Sequence, residues 1–284
     1  IITTGPPHSL HLIGYKLKQK LNIKWIADFR DPWVNLNYLN RFHLLPIVKR
    51  HHKKLRDNVL INADSVIVTS EKLKNLYKKI TPNICKITNG YDYENPKVDL
   101  DFKFSISHIG SLYPERNPEL FWDIIEDMFN NNESFRANLQ INLIGKTSQK
   151  IKDYLGQKKF RSCVDYIDYV DYSKAVEFMC SSQLLLMVEV NDNESSYAIP
   201  GKLFDYIYSK RPIMAIGPNK SEVKNILLET KSGRFFNYDE LLLLKSHLQN
   251  LYKEFEEGQI RPNNGDVNSY SRKILTNKLS KLIK

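Results

Sequence analysis

Short apolar runs alternate with amphipathic helical stretches along nearly the whole chain, with brief connections between them. This alternation is the tightest constraint on the fold, because a strand–helix–strand unit returns the chain to the same end of a sheet and makes neighbouring strands parallel. The first series reads as a strand at Ile1–Thr4, a turn at Gly5-Pro6-Pro7 and a helix from His8 to Leu21, then a strand at Ile23–Ala27. A helix over 44–60, a strand at Ser65–Val68, a helix from Glu71 to Lys79 and a strand at Ile84–Ile87 complete it. The polar stretch Tyr91–Asp101 breaks the rhythm and reads as an interdomain linker, so its Asp99-Leu100-Asp101 is a chance imitation of a metal-binding motif. A second series then runs through strands at Phe104–Ile109, Leu139–Ile144, Val164–Ile167 and Leu184–Val188, a buried strand around Ile213, and a short one at Phe235-Phe236. Among its helices, Asn117 reads as an N-cap ahead of Pro118, and Ser173–Cys180, 239–256 and 267–284 complete the set. Leu275, Leu279 and Leu282 give the final helix one apolar side that needs a docking surface.

A chain of 284 residues with 42% apolar and 11% aromatic residues can bury two α/β cores. No apolar run reaches the ~20 residues of a membrane span, and the three cysteines, Cys85, Cys163 and Cys180, have no metal-binding or disulfide spacing. A reducing cytoplasmic setting follows as the expectation. The net charge of +10 favours a polyanionic partner: anionic lipid, nucleic acid or a phosphorylated substrate. Because the chain starts at Ile1 inside a strand-like run, it is expected to be a fragment with upstream sequence missing.

Several loops carry candidate chemistry. In Ile199–Tyr206 a helix begins right after Pro200-Gly201, offering unpaired N–H groups, with Lys202 in its first turn. Asp205, three residues on and on the same helical face, is suited to sugar hydroxyls. A plain capped helix would look the same. Asp28-Phe29-Arg30-Asp31-Pro32-Trp33 follows the carboxyl end of a strand, where open α/β sheets bind ligands, although an Asp–Arg pair closing a loop is the simpler account. Gly110-Ser111 permits close backbone approach, and Arg116 stands before the next helix, suited to a phosphate. In the 44–60 helix, Leu44, Val48, His52, Leu55 and Val59 form one face, and Lys49, Arg50, Lys53, Lys54 and Arg56 the other. That basic face would suit anionic headgroups, or simply water.

Taken together, Thr3–Ser9, Trp25–Trp33, Ile87–Asp92, His108–Tyr113 and Ile199–Tyr206, in that order, resemble bacterial glycosyltransferases of family 4, in particular a Bacteroidetes-like branch acting in surface polysaccharide synthesis, lipopolysaccharide or capsule. The resemblance covers nearly the whole chain. It implies a GT-B fold, with two Rossmann-like domains of parallel sheet, the N-terminal one incomplete. Residues 1–98 would be the second half of an acceptor-binding domain, 99–266 a nucleotide-sugar-binding domain, and 267–284 a helix crossing back to the first. It also implies retaining transfer from a nucleoside-diphosphate sugar, which acts as co-substrate, with no cofactor and no metal. By the same resemblance Pro200, Gly201 and Lys202 would meet the diphosphate, Gly110, Ser111 and Arg116 would neutralise it, and Asp205 would hold the ribose. Tyr169 and Val170 would meet the base, Lys146 belongs with the donor-binding set, and His8, Asp28 and Asp31 would form the catalytic side of the acceptor domain. The family usually has glutamate at the position of Asp205. The first acid of its signature has no clear match here, Glu194 being nearest, as a sugar contact.

The expected function is thus a cytoplasmic glycosyltransferase, peripheral at the inner membrane face, with a lipid-linked or polysaccharide acceptor and no nucleic-acid partner. Two other readings stay open: a nucleotide-sugar epimerase of the same architecture, and a non-enzymatic basic protein binding membrane or nucleic acid.

Overall fold

The computed structural model describes residues 1–34, 45–94, 96–192, 197–260, 262–263 and 265–283. By contacts the chain divides into two compact units. The first comprises Ile1–Asp92, Asp192–Pro200 and Asn268–Lys284, and the second Tyr93–Asn191 and Gly201–Val267.

In the first unit, β1 (Ile2–Gly5), β2 (Ile26–Phe29), β3 (Ser65–Val68) and β4 (Ile84–Lys86) form a four-stranded parallel sheet in chain order. The helices between them are α1 (Leu10–Leu21), α2 (Pro46–Asn62) and α3 (Glu71–Tyr77). Side chains alternate across the strands, so both faces are covered. Ala27, Phe29, Val66 and Val68 pack with Trp25, Val59, Leu60, Leu73 and Tyr77 on one side. Ile26 and Ile67 face the other way, against Ile87 and the C-terminal helix Arg272–Ile283, whose Leu275 is buried and whose Leu279 and Leu282 pack beside it.

The sequence expectations shift here in three places. The second strand starts at Ile26 and runs through Phe29, because its register is set by pairing with Ile2–Gly5 and Ser65–Val68; Asp28 therefore lies in the strand. The first helix begins at Leu10, after His8. Arg56 does not join the basic face of α2: it is buried, donates to Asp57 at 2.6 Å and lies over the Tyr77 ring. Lys49, Arg50, Lys53 and Lys54 are exposed, and His52 takes the Trp33 indole N–H at 3.2 Å. Leu44 lies outside the described residues.

The second unit holds β5 (Phe104–Ile109), α4 (Glu119–Asn131), α5 (Glu133–Asn138), β6 (Leu139–Ile144), α6 (Gln149–Gly156) and β7 (Val164–Ile167). It continues with α7 (Tyr172–Ser181), β8 (Leu184–Val188), α8 (Lys202–Tyr208), β9 (Ile213–Gly217), α9 (Glu222–Thr230), β10 (Gly233–Asn237) and α10 (Leu241–Glu256). The closing helix of the first unit, Arg272–Ile283, is then α11. All six strands are parallel, in the order β10-β9-β8-β5-β6-β7. Every residue of β5 and β8 is buried; β8 reads as an uninterrupted apolar run for that reason, whereas β5 also buries the polar Ser105, Ser107 and His108. Asn117 is not the N-cap of α4. Pro118 occupies that position, and the Asn117 amide oxygen instead accepts the Trp122 indole N–H at 3.0 Å. The short α5, α6 and α9 have no counterpart in the sequence reading, although Ile151 and Leu155 in α6 and Val223, Ile226 and Leu227 in α9 do follow a helical spacing.

Candidate active site

From β5 the second sheet grows one way through β6 and β7, and from β8 the other way through β9 and β10. The order therefore reverses between β5 and β8. Just past the carboxyl ends at such a reversal the loops splay apart and leave a crevice, the usual ligand site of an open α/β sheet. Gly110-Ser111 follows β5 directly, and Lys202 comes to meet it from the start of α8.

Lys202 is held by two acceptors. Its ammonium lies 3.1 Å from His108 Nε2 and 3.2 Å from the Ile109 carbonyl oxygen. A Cβ on Gly110 would stand 3.6 Å from Lys202 Nζ, so the lysine passes close over a bare backbone. Gly110 has φ +117°, a conformation that favours glycine, and Gly145 after β6 has φ +106°, with its own notional Cβ 3.0 Å from the Gly110 carbonyl oxygen. Gly145 thus leaves room for the Gly110 backbone, and Gly110 for the lysine. The Tyr206 hydroxyl accepts the Ile109 N–H at 2.8 Å and fixes the end of β5. Burial, with the Arg116 charge adding to it, lowers the Lys202 pKa to about 7. Burial and the Lys202 charge hold His108 well below its ordinary value, so it is neutral.

Helix α8 spans only Lys202–Tyr208, Gly201 is already helical at φ −57°, and no side chain caps it. The dipole of so short a helix is small, and the anion-attracting charge comes from Lys202 and the half-buried Arg116 instead. Lys202 and Asp205 also turn to different partners. Asp205 Oδ1 accepts the Tyr172 hydroxyl at 2.9 Å, at the start of α7, and its backbone carbonyl accepts the Tyr93 hydroxyl at 2.7 Å. Lys146 and Tyr169 are exposed and Val170 half-buried, in the loops after β6 and β7 at the same edge of the sheet. Pro200 clusters with the first unit while Gly201 opens the segment of the second. Glu194 lies outside the described residues.

Glu189, immediately after β8, escaped the sequence reading. It is 5% exposed, burial lifts its carboxyl to about 7, and its Oε2 has no hydrogen-bond partner among the described residues. A carboxylate ending an all-apolar strand was the available signal, the same one that drew attention to Asp28.

In the first unit, His8, Asp28 and Asp31 gather at the carboxyl ends of β1 and β2. Asp28 accepts from Arg30 Nη1 and from the Thr4 hydroxyl, both at 3.5 Å, and Arg30 Nη2 donates to Asn89. An Asp–Arg pair therefore does close this loop. Burial raises the pKa of Asp28 and Asp31, with Arg30 opposing it. His8 stacks on Trp33, Phe29 and His11, with ring centroids 5.4 to 5.9 Å away. Neither of its nitrogens makes a hydrogen bond of good geometry among the described residues. The Thr3 hydroxyl accepts the Trp25 indole N–H at 2.8 Å and lies 2.8 Å from His11 Nδ1, so it donates there and leaves the His11 proton on Nε2.

Burial holds His8 at about 4 and His11 at about 3, against 6.5 when unfolded. Between these values the unfolded chain binds more protons, so the stability they allow is full above pH 6.5 and is lost as pH falls toward 4. Thermal melts at pH 7 and pH 5 are expected to show a lower midpoint at pH 5. The drop should be smaller in His8→Phe, which removes one of the two groups without emptying the stack; an equal drop in both proteins would contradict the assignment.

No family model matches the chain, and no curated protein matches it in sequence. Solved structures do match its fold. A sucrose-phosphate synthase from Thermosynechococcus elongatus aligns over 100% of this chain and 72% of its own, with TM-score 0.71 and 13% identity. HepE from Anabaena, solved with UDP-glucose, aligns over 99% of this chain and 78% of its own, with TM-score 0.70 and 12% identity. WaaG, a glycosyltransferase involved in lipopolysaccharide biosynthesis, aligns over 93% and 80%, with TM-score 0.65 and 11% identity. At these identities the likeness is one of fold: an α/β chain with two parallel, Rossmann-like sheets of the GT-B class.

Proposed function

We propose that this protein is a glycosyltransferase that moves a sugar, with retention of anomeric configuration, from a nucleoside-diphosphate sugar to a lipid-linked or polysaccharide acceptor. The observation that carries the reading is the Lys202 ammonium, docked at the β5–β8 reversal beside Gly110-Ser111 and in the field of Arg116. Breaking a glycosidic bond to a diphosphate builds negative charge on the leaving group. Cations already fixed in place stabilise that charge without reorganising, so the proposed chemistry draws its neutralisation from side chains rather than a metal. Gly110 and Ser111 would bring backbone to the phosphates, and Asp205, held by Tyr172, would take the ribose hydroxyls. Lys146, Tyr169 and Val170 are assigned to the nucleoside end, Glu194 to the sugar, and His8, Asp28 and Asp31 to the acceptor side. The complex of HepE with UDP-glucose makes uridine the first base to try.

Among the described residues no helix is long and apolar enough to cross a membrane. The exposed Lys49, Arg50, Lys53 and Lys54 of α2 are the surface we assign to anionic lipid at the cytoplasmic face.

The test is a panel of nucleoside-diphosphate sugars incubated with and without glycan and lipid-linked acceptors, followed by product analysis. The expected result is one nucleotide sugar whose consumption depends on an acceptor and yields a new glycosidic bond of the donor's configuration. Isomerised sugar without any acceptor would instead establish an epimerase. Binding to none of the panel would remove the reading altogether.

A further inference from the structure

The geometry points to His108 as the positioning residue for the Lys202 ammonium: by donating from Nδ1 to the neighbouring strand, it turns the Nε2 lone pair onto Lys202 and aims one N–H of that ammonium at an incoming phosphate oxygen. This deepens the nucleotide-sugar reading and rests on it.

The tautomer follows from the partners. His108 Nδ1 lies 3.0 Å from the Leu186 carbonyl oxygen, which can only accept, so Nδ1 carries the proton. Nε2 is then a bare acceptor, and Lys202 Nζ, 3.1 Å from it, is the donor of that bond. A protonated imidazole would place two cations against each other, and burial together with the Lys202 and Arg116 charges keeps His108 neutral. The charged and titratable groups facing the pair are Arg116 before α4 and Tyr206 on α8, whose ring lies 5.8 Å from Lys202 Nζ. Of the three ammonium N–H groups, one goes to His108 Nε2 and one to the Ile109 carbonyl, at 3.2 Å. The third is left for a ligand on the side of Gly110, where no side chain intervenes.

The position of His108 explains why an imidazole serves here. It lies on β5, 1% exposed, and its Nδ1 partner belongs to β8, the strand across the topological reversal. One rigid ring thus ties the two strands that flank the crevice and carries that tie to the lysine. A flexible lysine stem held at a single acceptor would keep several rotamers, and ordering it would be charged against every binding event.

The experiment measures binding of UDP and of inorganic pyrophosphate, by calorimetry, to the full chain and to His108→Leu, His108→Gln, Lys202→Ala and the double variant His108→Leu/Lys202→Ala. Leucine keeps the bulk and loses both polar atoms, whereas glutamine can donate to Leu186 and accept from Lys202. The expected pattern is about tenfold weaker binding of both probes to His108→Leu, the scale of one charge-assisted hydrogen bond. Glutamine should recover most of it. In the Lys202→Ala background the His108→Leu change should have no further effect, since it acts through the lysine. Equal weakening in both backgrounds, or His108→Leu binding as wild type while Lys202→Ala binds weakly, would overturn the role of His108 and leave the site reading standing. A wild-type protein that binds neither probe would overturn both together. Melting temperatures of each variant accompany the titrations, and a folded His108→Gln that binds no better than His108→Leu also counts against the proposal.

Discussion

Replacing Lys202 with alanine is expected to weaken nucleoside-diphosphate binding by about 10- to 100-fold, the equivalent of about 1.5–3 kcal/mol for a charge-assisted hydrogen bond. Transfer rate should fall further, by about 10²–10³, because the interaction strengthens as charge develops on the departing diphosphate. The stability consequence has the opposite sign. Burial holds the Lys202 pKa at about 7 in the folded protein against 10.5 unfolded. Between those values the unfolded chain binds more protons, so stability rises with pH across that window, and at pH 7 and below the buried charge is a cost. Lys202→Ala should therefore melt no lower than wild type at pH 7 while binding far more weakly. A variant that melts much lower and binds normally would reverse the assignment, making Lys202 a structural residue. Arginine is not expected to rescue, since a planar guanidinium cannot take the place of an ammonium between His108 Nε2 and the Ile109 carbonyl.

Arg211→Ala should have the converse effect: a large loss of stability with the site intact. Arg211 is 4% exposed and lies in the turn before β9, at the end of the strands away from Lys202. Its Nε donates to the Ser182 carbonyl at 2.6 Å and its Nη2 to Gln183 Oε1 at 3.1 Å and the Gln183 carbonyl at 3.4 Å. These groups belong to the turn before β8, so the guanidinium ties together the starts of two adjacent strands. Truncation would leave buried acceptors with nothing to accept, at about 3–5 kcal/mol. For a unit of this size that is roughly a 10 °C fall in Tm. Below that temperature, UDP affinity should stay within about twofold of wild type, since the substitution is remote from the ammonium site. A Tm change of a degree or two would show that water replaces the guanidinium at little cost.

The division of labour between these two residues also marks how far the sequence could be read. Both stand in the stretch 199–215, and residue chemistry alone drew attention to Lys202, because a lysine after Pro-Gly adds a full charge to the unpaired N–H groups of a helix start, although a plain capped helix looks the same. Fully buried parallel strands such as Leu184–Val188 were equally legible, since no solvent face interrupts the apolar run. Beta-2 was displaced by three residues at its start because its ends are fixed by partners on two other strands rather than by its own composition. Arg56 looked like part of a basic face by helical spacing, yet Asp57 and the Tyr77 ring draw it inward. His108 and Glu189 were the real losses. His108 owes its role to Leu186, which lies on a strand adjacent in the sheet but far away in the chain, and no local pattern encodes that adjacency. Asp205 was legible from sequence as a polar group on α8, but its partner Tyr172 could not be foreseen, for the same reason.

The central claim is that the edge of the second sheet at the β5–β8 reversal holds a nucleoside diphosphate. Amide hydrogen exchange with and without saturating UDP tests it most directly, because it localises the ligand without any substitution. Slowed exchange is expected at Ile109–Leu112 and at Gly201–Asp205, with no change around Tyr252 and Phe255, which pack on Phe104 at the opposite, amino end of β5. Protection confined to other segments, or binding with no protection at Gly110-Ser111 and Lys202, would contradict it.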